Sequence, residues 1–221
     1  MLTKLQYTVP IELLQEASDN VDMSQFRYAL NEPTGDFFYD PWTIKKEYVG
    51  TVWEQILNTL PVDMGEARLI VLKYGNCYMS HSDIDDRYHL NVNGEYSFLV
   101  NIDTEEMFPQ TLDGQWYLMD ASPRHSAVNF GSVDRVQLVI RKLLNKCQLE
   151  NYSTVTIKPI DKIKPRFIFD DEISPWLSKM NKQQLMNNFK ILTDGVEFNL
   201  DNSVVPVLDS YSKEKFHITI T

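Results

Sequence analysis

Between residues 68 and 144 the sequence breaks into five runs, each too short for a stable helix and each rich in β-branched or aromatic side chains. They are RLIVLKYG at 68–75, YHLNVN at 88–93, YSFLVNI at 96–102, QWYLMD at 115–120 and RVQLVIRKLL at 135–144. Turn-forming residues separate several of them: Asn93-Gly94, Asp113-Gly114 and Asn129-Phe130-Gly131. Short strands joined by tight turns are the signature of an antiparallel sandwich or barrel, so this segment is expected to form a β core. In the second run Tyr88, Leu90 and Val92 alternate with Arg87, His89 and Asn91. A strand with one apolar and one polar face borders either solvent or a lined cavity.

The flanks differ in texture. Residues 1–60 mix polar loops with helical periodicity, and from Thr43 to Leu60 an apolar face of Ile44, Tyr48, Val52, Ile56 and Leu57 predicts an amphipathic helix, interrupted at Gly50. Residues 61–145 hold the β core. Residues 146–221 read as an accessory α+β region, with TVTIKPI and RFIFDD as edge strands limited by their prolines. A helix is expected to start at Ser174-Pro175, with Trp176, Met180, Leu185 and Phe189 inward, and FHITIT alternates like a final strand. One domain over 1–221 is the expectation. The segment 31–42, NEPTGDFFYDPW, is either a loop over a site mouth or aromatic packing beneath a surface loop.

Composition narrows the setting. A net charge of −10 repels a phosphate backbone, which disfavours non-specific nucleic-acid binding. No apolar run is long enough for a membrane span, and the first twenty residues lack the apolar core of a signal peptide. Cys77 and Cys147 are too few for a disulfide framework, which fits a reducing, cytoplasmic setting, and both read as small buried hydrophobes.

Three of the four histidines lie in the strand-rich segment. In Tyr78-Met79-Ser80-His81-Ser82-Asp83 the acid follows the first histidine by two places. On an extended chain, residues i and i+2 project to one side, so His81 and Asp83 can grip one ion. His125 is the candidate third ligand. Two imidazoles and one carboxylate on one face of a metal define the site of non-haem iron(II) oxygenases, leaving three positions open for a bidentate 2-oxo acid and dioxygen. Such a cosubstrate needs a cation for its distal carboxylate, and Arg135 opens the apolar run Val136–Ile140 ten residues after His125. Arg87 and His89 alternate toward one face of their strand. Duller readings stand beside these: His125 as a loop histidine, Arg135 in a surface ion pair, and Arg87 in a solvated charged loop after Asp83, Asp85 and Asp86.

The segment from His81 to Ile140 resembles the catalytic core of the aspartyl/asparaginyl β-hydroxylase group of 2-oxoglutarate oxygenases. That group shows a histidine, then Arg-x-His on the next strand, then Asp-x(4)-His, then an arginine ten residues on. The corresponding residues are His81, Arg87-Tyr88-His89, Asp120 through His125, and Arg135. The resemblance implies a double-stranded β-helix (jelly roll) with flanking helices, mainly β with some α. It implies iron(II) held by His81, Asp83 and His125, 2-oxoglutarate bound by Arg135, with Arg87 and His89 along the cosubstrate side, and dioxygen as oxidant. Asp83 is a departure, since the animal peptide hydroxylases of the group lack that carboxylate. The spacing from His81 to Arg87 is also shorter, so the chain is closer to bacterial amino-acid hydroxylases. The implied activity is hydroxylation of an amino acid or an amino-acid residue of a peptide. The alternatives are a jelly-roll binding module without turnover, or a cupin-like metal-dependent hydrolase or isomerase. The roles of Trp116, Asp120 and Arg124 do not follow from sequence.

Overall fold

The structure is a computed structural model that describes residues 1–160, 172–208 and 215–221. It is mainly β, with 43% strand and 17% helix. The chain divides into two compact units, one formed by Met1–His81 with Asp85–Leu143, the other by Ser82–Ile84 with Leu144–Thr221.

The first unit is built on a six-stranded antiparallel sheet. Its strands are β1 (Leu2–Thr8), β2 (Arg27–Ala29), β5 (Met64–Leu72), β6 (Arg87–Asn93), β9 (Gln115–Met119) and β11 (Arg135–Lys142). Their order across the sheet is β1-β9-β6-β11-β5-β2. A hairpin, β3 (Asn31–Pro33) with β4 (Trp42–Ile44), stands beside it. A smaller sheet has the order β10-β7-β8, from β7 (Ser97–Asn101), β8 (Met107–Pro109) and β10 (His125–Asn129). Bridges at Cys77↔Val128 and His81↔His125 add residues 77–81 along the free side of β10. From β5 onward the chain therefore alternates between sheets: β5 in the large, 77–81 in the small, β6 in the large, β7 and β8 in the small, then β9, β10 and β11 in turn.

The five runs read from sequence all become strands, and the three turn signals fall between strands. Gly94 and Gly114 sit at φ 98° and 71°, values that glycine adopts without a Cβ penalty. The large sheet has two buried faces of opposite chemistry. Leu90, Val136, Leu138, Ile140, Leu69, Val71 and Trp116 pack on one side against Leu14 and Ala17 of α1 (Ile11–Asp19) and Trp53, Ile56 and Leu57 of α2 (Val52–Asn58). The other face carries Arg87, His89 and Asn91, and it is not open to solvent: the three are 2%, 5% and 4% exposed. The alternation in β6 thus marks a lined interior. Met119 of β9 packs there with Leu99 of β7 and partly buried Ala127 of β10, so the small sheet covers this polar face.

Several expectations are corrected. No single helix runs from Thr43 to Leu60: Ile44 ends β4, a 3₁₀ turn spans Lys46–Tyr48, and α2 starts only at Val52. Gly50 at φ 76° breaks the path, and the Thr51 hydroxyl caps α2 by accepting from the Trp53 amide. The apolar spacing still serves one core, because Ile44 and Tyr48 pack against the same cluster as Val52, Ile56 and Leu57. Cys77 is exposed and Cys147 only partly buried, so neither is a buried hydrophobe. Cys77 pairs with Val128, whose neighbours Ala127 and Asn129 point to the other side of β10.

In the second unit, β12 (Tyr152–Pro159), β13 (Met186–Leu192), β14 (Gly195–Asp201) and β15 (Phe216–Ile220) form a sheet of order β13-β14-β12-β15. TVTIKPI is therefore an interior strand, paired on both sides; Pro159 is tolerated because it ends the strand. RFIFDD lies outside the described residues. The helix α3 (Ser174–Lys182) starts as expected with Pro175 in its first turn. It ends before Leu185, and Phe189 belongs to β13.

Gly94 closes the β6–β7 hairpin against the start of β11, where a Cβ would meet the Arg135 Cα at 2.7 Å. Gly94→Ala combines left-handed strain with a backbone collision. It is expected to destabilise the protein by about 1–3 kcal/mol in urea unfolding, with an unchanged slope.

Candidate metal centre

His125 opens β10 and His81 lies opposite it on the neighbouring segment. Two backbone hydrogen bonds lock the pair: His81 N–H donates to the His125 carbonyl at 3.0 Å, and His125 N–H to the His81 carbonyl at 2.9 Å. Residues paired across antiparallel strands project to the same side, and the two rings lie 4.4 Å apart between centroids. Ala127, two residues beyond His125, packs with Leu99 and Met119, so this side is the interior side.

Both imidazoles are oriented by the chain itself. His81 Nδ1 lies 2.9 Å from the Met79 carbonyl and His125 Nδ1 lies 2.9 Å from the Pro123 carbonyl. A carbonyl only accepts, so each Nδ1 carries its hydrogen and each Nε2 presents a lone pair. This outer contact is the kind that fixes the tautomer of metal-ligating histidines. Asp83, two residues after His81, completes the group. The ligand atoms of His81, Asp83 and His125 all lie within 4.8 Å of one another, with His125 buried and the others partly buried. Modest side-chain rotation suffices to reach the roughly 3 Å that separates adjacent ligands with bonds of about 2.1 Å.

The wall beyond the histidines is ionic. Asp85 is 3% exposed and pairs with two guanidiniums. Arg87 forms a close ion pair with it and donates to its carbonyl at 2.9 Å. Arg141 donates from Nη1 to both carboxylate oxygens at 2.9 Å, a charge-assisted contact. Arg141 also reaches Glu66, which pairs with Arg68. The segment 31–42 seats Phe37 and Phe38 on the Arg141 guanidinium, 5.2 and 5.7 Å from the ring centroids. Its aromatic rings thus cap a charged cluster two residues along the chain from Asp83.

Arg135 is different in kind. It is 3% exposed, and among the described residues its side chain bonds only to the Gln137 amide oxygen. Among the described residues no carboxylate forms an ion pair with it. Burial alone pulls its pKa down to about 10, which leaves it charged at neutral pH. Its Nε has no hydrogen-bond partner, and neither have the buried Ser97 Oγ and Asn91 Oδ1. A buried guanidinium without an anion is costly, and this one sits on the interior face in the row Arg135, Gln137, Val139, Arg141 of β11.

The remaining sequence candidates separate clearly. His89 is buried on the same face, opposite Val139. Trp116 lies on the opposite face, in the apolar core, with its indole N–H on the Thr59 hydroxyl at 2.9 Å. Asp120 accepts from the Ser122 amide and hydroxyl and shapes the turn that leads to His125. Gln137, Gln110 and Ser97 were not singled out from sequence. The one available signal was Gln137, a polar residue inside an otherwise apolar strand.

No protein-family model matches the sequence, and no curated protein matches it either. The reading of this site therefore rests on its own geometry.

Asp85 holds two guanidiniums. Asp85→Ala leaves both without their shared anion and is expected to cost about 3–5 kcal/mol in chemical unfolding, whereas Lys73→Ala, which removes an exposed pair with Asp134, costs under about 1 kcal/mol.

Proposed function

We propose that this chain is a non-haem iron(II) and 2-oxoglutarate-dependent dioxygenase that hydroxylates an amino acid or an amino-acid residue of a peptide. The observation that carries the reading is the convergence of His81, Asp83 and His125, one ligand atom of each lying within 4.8 Å of the others, with each Nδ1 2.9 Å from a backbone carbonyl so that the lone pair falls to Nε2. Two neutral imidazoles and one carboxylate leave an iron(II) ion net positive and half of its coordination positions open. The strand alternation supports a double-stranded β-helix core, with β5-β11-β6-β9 in one sheet and the three strands β10-β7-β8, bridged at two points by residues 77–81, in the other. The resemblance of His81–Ile140 to the aspartyl/asparaginyl β-hydroxylase group agrees with it.

Each residue then has a separate task. His81, Asp83 and His125 hold the metal. Arg135, buried and lacking an anionic partner among the described residues, receives the distal carboxylate of 2-oxoglutarate, a job that a hydrolase or isomerase does not need. His89 lines the cosubstrate side. Arg87 faces the same interior, but its engagement with Asp85 makes it a brace for that wall. Iron held by His81, Asp83 and His125 would supply activation of dioxygen, one oxygen atom of which would enter succinate as 2-oxoglutarate loses carbon dioxide and the other a substrate C–H bond. The protein supplies position and a dry, charged interior.

Anaerobic loading with iron(II), followed by exposure to air, is expected to yield succinate from 2-oxoglutarate, slowly alone and faster with the right amino acid or peptide. Absence of succinate across a panel of amino acids and peptides would favour a binding module. Arg135→Ala should raise the 2-oxoglutarate requirement roughly a hundredfold with iron content retained. Asp83→Ala should instead lower iron occupancy, read by metal analysis after gel filtration.

A further inference from the structure

We propose that Gln137 is a positioning residue that orients Arg135 while leaving its charge unneutralised, so that the guanidinium is kept available for a dicarboxylate ligand. This rests on the reading of Arg135 as a carboxylate anchor and adds the device that keeps the anchor open.

Arg135 and Gln137 stand two places apart on β11 and so project to the same interior face. Both are buried, at 3% and 1% exposure. The hydrogen-bond directions follow from chemistry. A guanidinium only donates, so the Gln137 oxygen must face Arg135. Its Nε2 then points outward and donates to the Gln110 Oε1 at 3.1 Å. Gln110 in turn donates through Nε2 to the Phe108 carbonyl at 3.2 Å, and its own amide N–H donates to the Ser97 carbonyl at 2.9 Å. The relay runs from fixed backbone of β8 and β7, through two amides, to one nitrogen of the guanidinium. The Gly94 backbone packs against the Arg135 main chain with no space for a Cβ, which fixes where the side chain starts. The guanidinium itself is held by a single oriented acceptor.

An amide is the informative choice. A carboxylate at position 137 would bind the guanidinium more strongly, since charge-assisted bonds exceed neutral ones. It would also neutralise it, and it would lose the donor that Gln137 Nε2 offers to the Gln110 Oε1. With glutamine there, the Nε donor of Arg135 has no hydrogen-bond partner among the described residues. The amide serves both neighbours and keeps a net positive charge inside the molecule.

The test uses the full chain and its Q137E and Q137M variants, loaded with manganese(II) without oxygen and titrated calorimetrically with 2-oxoglutarate. Thermal unfolding is followed in parallel without ligand. Wild type is expected to bind. Q137E should bind at least about a hundredfold more weakly, with unchanged manganese content and a retained cooperative unfolding transition. Q137M, which keeps the charge free but removes the oriented acceptor, should bind roughly tenfold more weakly. A purely structural role for Gln137 would weaken binding no more in Q137E than in Q137M. If wild type binds and either variant matches its affinity, the role of Gln137 is overturned; if wild type binds no dicarboxylate, the carboxylate reading of Arg135 itself falls.

Discussion

Within the first unit, the large sheet must satisfy two buried faces with opposite demands. Its apolar face, centred on Leu90, Leu138 and Ile140, gains from being removed from water by α1 and α2. Its other face places guanidiniums, an imidazole and amides in the interior, where each charge demands a partner. Because β6 and β11 lie side by side at the centre, every second residue of both strands enters that polar interior. Register is therefore fixed twice over: a one-residue slip would send Arg87 and Arg135 into the apolar core and Leu138 into the ionic layer.

The interior resolves its charges unevenly along the sheet. At one end Asp85 neutralises Arg87 and Arg141, and aromatic rings of the 31–42 hairpin stack over the second guanidinium. The result is a wall of paired charges. At the other end of β11, Arg135 has an amide for company and, among the described residues, no ion pair. Stability alone does not explain that asymmetry, since removing the charge or pairing it would both be cheaper. On the proposed reading its partner is a ligand; the guanidinium lies on the interior face that the small sheet covers, the same side to which His81 and His125 project.

Much of the core was legible from residues. The five strand runs and their glycine turns emerged because period-two alternation and left-handed glycines are local signals. His81-x-Asp83 was legible from its spacing on an extended chain, although in the structure only His81 bridges β10 and Asp83 lies outside any strand. The helix expected over 43–60 failed because one apolar face was supplied by a strand, a 3₁₀ turn and a helix that share a core cluster. Periodicity reports which residues meet, and it does not report whether the path between them is continuous. β10 escaped notice because His-Ser-Ala-Val-Asn has little strand character; it is a strand through its pairing with β7 and residues 77–81.

By itself, the sequence determined which side chains share a face: the apolar and polar sets of β6 and the row headed by Arg135. Those follow from backbone geometry within one strand. Tertiary structure alone decided what fills the space between faces. It brought His125 opposite His81 across 44 residues of chain, buried the polar face of β6 that could equally have met water, gave Arg87 an acid and gave Arg135 only an amide. Such pairings depend on contacts between distant segments, and no local spacing encodes them.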